Sequence, residues 1–395
     1  MRPRFRYDEI PPDHEDGSSS WVHTALILTG RIGEVKPILL LPVWVALTLL
    51  ASLTWPDLRP WAALSGISMI VADWVMLAGL PRTRRSWGPV TPPLLGLAVV
   101  HAVLTGAGGW IMSGRVGLSV VTLINALITA VAIYATWVEP FRIQVTRQNL
   151  QVEGWPADKT ITFLHISDIH FEQLSRREHK LVDLIREHQP DLLLLTGDYL
   201  NLSSVYDPEA QQGVRRLLSQ FRAPLGIYAV TGSPVVDVAT IIPEIFEGLP
   251  IRWLQDDIET LHLGEHSLQM IGVRTTYQEE RDMAALTSLT GSSTTGVTRI
   301  LLHHTPDLAP AAANLGIDLY LCGHTHGGQI RLPIYGAIAT SSRWGKRYEQ
   351  GRYEEGGMIL YVCRGLGLEG LGAPRARFLA PPEIVLWQIT GPPQL

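Results

Sequence analysis

The sequence predicts an α/β domain preceded by an all-α, four-helix transmembrane domain. Three observations carry this reading. Four apolar runs, each near the length of a membrane-crossing helix, fill residues 37–138. From about residue 160, short apolar strands alternate with amphipathic helical stretches, the pattern of an α/β domain. Several of those strands end in Asp, His and Gly, where a sheet presents its functional loops.

A chain of 395 residues has room for two or three domains. Its formal net charge of -5 argues against a nucleic-acid partner, which would call for a basic surface. Only 17% of residues are charged and 46% are hydrophobic, a low charge for a soluble enzyme. Cys322 and Cys363 each lie in an apolar strand-like run and are expected to be buried free thiols, not a disulfide framework.

Residues 1–36 read as a polar amino-terminal tail. Arginines alternate through MRPRFR and acids dominate YDEIPPDHED, without the apolar core of a signal peptide. Residues 37–140 read as four spans, in the runs 37–55, 60–80, 94–112 and 116–138. Each is close to the ~20 residues that cross ~30 Å of hydrocarbon. A soluble bundle would need polar faces, and these runs have almost none.

Arg2, Arg4, Arg6, Arg31 and Lys36 precede the first run, and Arg82, Arg84 and Arg85 follow the second. The other two connections carry only Arg59 and Arg115. The basic side is normally cytoplasmic, and four spans return the chain to it, so the catalytic domain is expected in the cytoplasm. A fifth crossing through the short apolar stretch 21–29 would reverse that. Asp73, His101 and Asn125 interrupt the apolar runs and are expected to pair between helices.

Residues 141–159 read as a linker and 160–395 as the catalytic domain. There ITFLHIS and DLLLLTGD read as buried strands, and 174–188 as a helix with Leu181, Leu184 and Ile185 on one face.

The chemistry lies at strand ends. SDIH supplies Asp168 and His170, TGD supplies Asp198, LLHHTPD supplies His303 and His304, and GHTHGG supplies His324 and His326. Imidazole with carboxylate suits Mn, Fe, Zn or Ni better than Mg or Ca. Two aspartates and up to four of these histidines make six candidate ligands, which exceed what one four-coordinate ion needs and suit two ions sharing a carboxylate. Such a pair clamps both oxygens of an in-line displacement at phosphorus. Each motif alone is weak, but their ordered combination at strand ends is specific.

Through HISDIH, LLTGDY, LLHHTPD and CGHTHGGQIRLP the sequence resembles the calcineurin-like metallophosphoesterase superfamily, and most of all its membrane-associated bacterial branch. The resemblance covers about residues 160–388. It implies two facing mixed β-sheets flanked by helices, with metals at the loop end. It assigns Asp168, His170 and His326 to a first metal, Asp198 as a bridge, and His304 and His324 to a second. Asp198 and His304 are expected to act in catalysis as well. His303 reads as a flanking neighbour.

One motif departs from the family. Where Gly-Asn-His is usual, this chain has Gly232-Ser233-Pro234. Ser233 stands where an asparagine carbonyl would meet the second metal, and a hydroxyl is the poorer ligand. Pro234 stands where a histidine is credited with protonating the leaving group, a residue that phosphodiesterase branches lack. The second site is therefore expected to be the weaker, with Asp237 a candidate to swing in.

The expectation is a membrane-bound hydrolase of a phosphodiester or pyrophosphate, acting on a phosphorylated small molecule or a lipid-linked substrate at the bilayer. Hydroxide bridging two divalent ions would attack phosphorus. Two rivals are a single-metal or non-catalytic sensor, and a transporter carrying an accessory hydrolase.

Overall fold

The computed structural model describes residues 21–86, 88–156, 159–291, 296–372 and 374–392. The expected tail at 1–20 lies outside them. The chain divides into two units: His23–Glu139 with Glu369–Ala376, and Pro140–Leu368 with Arg377–Leu395.

The first unit is helical: α1 (Trp21–Gly33), α2 (Leu41–Ser52), α3 (Arg59–Arg82), α4 (Thr91–Ile111) and α5 (Gly114–Ile133). Three segments, Arg59–Arg82, Thr91–Ile111 and Gly114–Phe141, are long and apolar enough to cross a membrane. The expected span at 37–55 is corrected in its bounds: the segment is not one spanning helix by itself. Its prolines divide it into a 3-10 turn, Pro37–Leu40, and α2, whose 12 residues rise only about 18 Å. It reaches spanning length only if counted with Ile27–Gly33, from which it bends by 99°. The expectation of a polar tail to residue 36 is corrected likewise. The apolar stretch WVHTALIL opens α1.

This unit is apolar outside, and its interior holds buried polar groups beside an apolar cluster of Leu77, Leu80 and Leu94. Leu50, Trp61, Val75, Leu123 and Leu127 are exposed, whereas Asp73, His101, Thr105, Asn125 and Thr129 are buried. His101 bonds Asp73 and Asn125 through its two ring nitrogens, each at 2.9 Å. Asn125 donates to Thr105 at 3.1 Å, and Thr129 donates to Asp73 at 2.8 Å. Three helices thus satisfy one another's buried polar groups, as a low-dielectric setting requires.

The second unit holds fourteen described strands. In chain order these are β1 (Gln144–Gln151), β2 (Ile161–Ile166), β3 (Leu192–Leu195), β4 (Ile227–Ala229), β5 (Ile251–Trp253), β6 (Asp257–Leu263) and β7 (His266–Gly272). There follow β8 (Val297–Leu302), β9 (Leu319–Cys322), β10 (Arg331–Leu332), β11 (Gly336–Ala337), β12 (Gly351–Glu355), β13 (Met358–Val362) and β14 (Glu383–Thr390). Two six-stranded mixed sheets form in the orders β1-β14-β2-β3-β4-β5 and β12-β13-β9-β8-β7-β6. β10 and β11 make a separate hairpin.

Strand alternation sets the layers. From β2 and β3, Phe163, Leu192 and Leu194 point into a core shared with Met270, Ile300, Leu302 and Leu321 of the other sheet. Their neighbours Leu164, Ile166, Leu193 and Leu195 point outward onto α6 (Arg176–His188), α7 (Pro208–Leu218) and α8 (Ile242–Phe246). On the far side of the second sheet, Leu301, Tyr320 and Leu360 pack with α9 (Glu279–Thr290) and α10 (Ala309–Ala312). α6 opens on a capping box between Ser175 and Glu178 and buries Leu181, Leu184 and Ile185, the face expected of it.

The expected linker 141–159 is corrected: Gln144–Gln151 is β1, pairing parallel with β14 along its whole length. Its sequence QVTRQNLQ is polar because an edge strand buries little; only Leu150 is in the core.

Candidate metal centre

The ligand-type residues sit just past the carboxyl ends of parallel strands. β2 leads to Asp168 and His170, β3 to Asp198, β4 to Ser233, β8 to His304, and β9 to His324 and His326. Parallel neighbours end at the same edge, so five short loops converge. The bends are sharp. Asp168, His170, Asp198, His324 and His326 all have φ between 42° and 69°, the left-handed region that side chains avoid. Backbone strain of this kind gathers at functional sites. Gly323 lets two loops touch, since a Cβ there would lie 2.0 Å from both Asp168 Oδ2 and Ser167 Oγ. Gly197, at φ +92°, is similarly crowded, since a Cβ there would lie 2.2 Å from Gly232 N.

Two groups of side chains result. Asp168, His170 and His326 form one, and Asp198, His304 and His324 the other, with the ligand atoms of each within 4.8 Å of one another. His170 Nε2 lies 3.0 Å from His326 Nε2, and His326 Nε2 lies 3.4 Å from Asp168 Oδ1. His304 Nε2 lies 3.2 Å from both Asp198 Oδ2 and His324 Nδ1. Asp198 Oδ2 is also 3.6 Å from His170 Nε2, so this carboxylate stands between the groups.

The surroundings aim these atoms. His304 Nδ1 donates to the Thr196 carbonyl at 2.8 Å, which directs Nε2 into the site. The backbone N–H of His324 donates to both Asp168 oxygens. Burial resists charge on Asp168, but His326 hydrogen-bonds it and, with the neighbouring imidazoles, holds its carboxyl well below the usual range. Asp198 is likewise lowered against its burial, chiefly by His304. Burial would lower His304, yet the Asp198 charge raises it to about 10. Burial and the His304 charge lower His324 to about 4.

Two imidazole nitrogens 3.0 Å apart can share only one proton between them. Carboxylates and imidazoles pointed at common centres are the donor set of borderline divalent cations. The residues present fit two such ions.

Ser233 lies against the second group. Its Oγ is 3.2 Å from Asp198 Oδ2 and 3.3 Å from His304 Nε2. Pro234 is exposed and brings no proton donor. Asp237 does not swing in. Its carboxylate accepts the backbone N–H groups of Asp198, Tyr199 and Gly232 at 2.8, 3.0 and 2.6 Å and braces the two loops. His303 turns away, its Nδ1 bonded to Tyr320 and the Thr305 carbonyl. Sequence reasoning missed Arg377, fully buried, whose guanidinium holds the carbonyls of Arg364, Gly367 and Ala380 beside the first group. One of two arginines in APRARF, it carries no sequence signal of that role.

Fold and site together define a metal-dependent hydrolase of phosphate esters. The calcineurin-like phosphoesterase family model matches residues 161–328. The metallophosphoesterase YkuE of Bacillus subtilis is 32% identical over 65% of this chain and 88% of its own length. The phosphodiesterase YaeI of Escherichia coli is 25% identical over 65% and 92%. UDP-2,3-diacylglucosamine pyrophosphatase LpxG of Chlamydia trachomatis is 24% identical over 64% and 91%. This chain belongs to the calcineurin-like phosphoesterase family.

Proposed function

We propose that this chain is a membrane-bound hydrolase that cleaves a phosphodiester or pyrophosphate of a lipid-linked substrate. The observation that carries it is the pair of donor groups joined by Asp198, in a chain that also has three helices apolar enough to span a bilayer. Asp168, His170 and His326 would hold one cation, and His304 and His324 the other, with Asp198 between them and Ser233 completing the second. Two cations so held lower the pKa of water and neutralise charge gathering on the phosphoryl oxygens.

The protein's own residues do the rest. Asp198 fixes the spacing of the two groups, and the Thr196 carbonyl keeps the His304 ring turned inward. No proton donor stands at Pro234, which favours leaving groups that need little protonation. A phosphate leaves that way far more readily than an alkoxide, which favours a pyrophosphate over a simple alkyl monoester. LpxG is named for a pyrophosphate of this lipid-linked kind. A binding-only sensor is disfavoured, because all six donor side chains converge.

The Arg and Lys bias around the helices supports a cytoplasmic catalytic unit, with α1 and α2 as a fourth, bent crossing. The test is hydrolysis of a panel by the Mn-loaded chain. Pyrophosphate lipids and aryl diesters should be cleaved and alkyl monoesters spared. Preference for monoesters would refute the substrate class.

A further inference from the structure

In the catalytic unit, seven described large apolar residues are exposed: Leu174, Tyr206, Leu332, Ile334, Tyr335, Ile338 and Leu379. Five of them gather on one feature, the β10–β11 hairpin and the chain beside it. Phe378, next to Leu379, is bridged to Ile330 at the hairpin's base. Ile334 at the tip is completely exposed and has φ 69°. A β-branched residue in the left-handed region is an outlier even when buried. Held out in water, it combines backbone strain with unburied apolar surface, and so marks a contact that this chain does not itself complete.

The hairpin is fixed to the metal centre. It begins five residues after His326, and Arg331 Nη1 donates to the Gly327 carbonyl at 2.8 Å. Gly328 packs so closely that a Cβ there would lie 2.4 Å from Ala337 Cβ. Glu349 ties both pieces: it pairs with Arg331 at 2.8 Å, and its carbonyl accepts from Thr325 Oγ1 at 2.7 Å. Whatever receives the tip is therefore held at a set distance from the ligand loop.

The apolar tip and the groups behind it together point to the recipient. Around the hairpin Arg331 and Lys346 share Glu349, Arg343 pairs with Glu279 and Arg347 with Glu355, which leaves a net +1 (four minus three) within a chain of net charge -5. The Lys346 ammonium stands 3.4 Å from the centre of the Tyr335 ring. Apolar residues at a tip, with a tyrosine and cations behind them, match the acyl layer and phosphates of an anionic bilayer.

We propose that this hairpin inserts Leu332, Ile334 and Ile338 into an anionic membrane surface and so presents lipid phosphates to the metal centre. The inference rests on the reading of the chain as a membrane-bound hydrolase. Ile334→Cys gives a unique accessible thiol among the described residues, since Cys322 and Cys363 are buried.

The full chain, labelled there with an environment-sensitive dye, is reconstituted into phosphatidylcholine vesicles containing phosphatidylglycerol. Quenching by doxyl-labelled acyl chains should be strong and by aqueous iodide weak. Iodide quenching alone would overturn the proposal. So would a shielded dye that doxyl lipids leave bright and that crosslinks between copies, which would make a second chain the occupant. In parallel, Ile334→Asp should raise KM for a vesicle-embedded pyrophosphate lipid about tenfold, the loss of one inserted side chain. Hydrolysis of soluble bis(p-nitrophenyl) phosphate should stay unchanged. Equal losses on both substrates would overturn the proposal. A wild-type chain that hydrolyses neither substrate would sink the hydrolase reading itself, while the quenching result would still decide the insertion.

Discussion

Gly323→Ala removes no ligand, yet it should disable the metal centre. The added Cβ would stand 2.0 Å from Asp168 Oδ2 and 2.0 Å from Ser167 Oγ. Ordinary contact begins at 3.4 Å. Asp168 or the loop after β9 must therefore move by 3.4 minus 2.0, or 1.4 Å. Neither can do so freely, because the His324 N–H holds both Asp168 oxygens and Asp168 is completely buried. Overpacking of this kind costs about 1–3 kcal/mol of stability. A displacement of about 1 Å at a reacting centre costs roughly 100-fold in rate. The assay compares diester hydrolysis and bound metal per chain in wild type, Gly323→Ala and Gly96→Ala. Gly96 has nothing within 4 Å of its would-be Cβ, so it controls for adding a methyl group. Gly323→Ala should lose about two orders of magnitude in rate and one of two ions, while Gly96→Ala matches wild type. A Gly323→Ala enzyme with wild-type rate and metal content would refute the claim that Asp168 is held in place by this contact.

Asp198→Asn and His326→Ala should each lower the rate by ~100-fold or more, whereas His303→Ala, bonded to Tyr320 outside both groups, should cost less than about threefold. Equal losses at all three would show that the adjacent histidines are wrongly distinguished. Ser233→Asn should place an amide oxygen in the second group and tighten its ion on the order of tenfold, measured by metal titration; unchanged affinity would mean that the site is complete without it. His304, raised to about 10, is protonated near neutral pH in the ion-free chain, so an ion must displace that proton. Affinity at the second group should therefore rise by about tenfold per pH unit between about pH 7 and 9, with proton uptake by the buffer seen calorimetrically. Affinity independent of pH would contradict it.

The ligand loops were legible because buried parallel strands leave near-continuous apolar runs, and ITFLHI and LLLL break abruptly into SDIH and TGD. The five left-handed backbone positions are not written in the residues; Asp and His are simply forced there by the turns. β1 escaped notice because an edge strand with one buried side chain has no apolar period to read. The bend between α1 and α2 escaped it because hydropathy counts apolar residues and ignores the path of the chain. Asp237 drew attention as a carboxylate near the ligands, but only coordinates reveal that three backbone N–H groups already occupy it.

The most direct measurement is a metal titration of the stripped, full-length chain, following bound Mn by mass spectrometry and diester hydrolysis in the same samples. Two donor groups sharing Asp198 predict no hydrolysis without metal, two ions bound per chain at saturation, and a rate that rises with the second ion. Full hydrolysis by the stripped chain, or a maximal rate reached with a single ion bound, would contradict the two-metal centre.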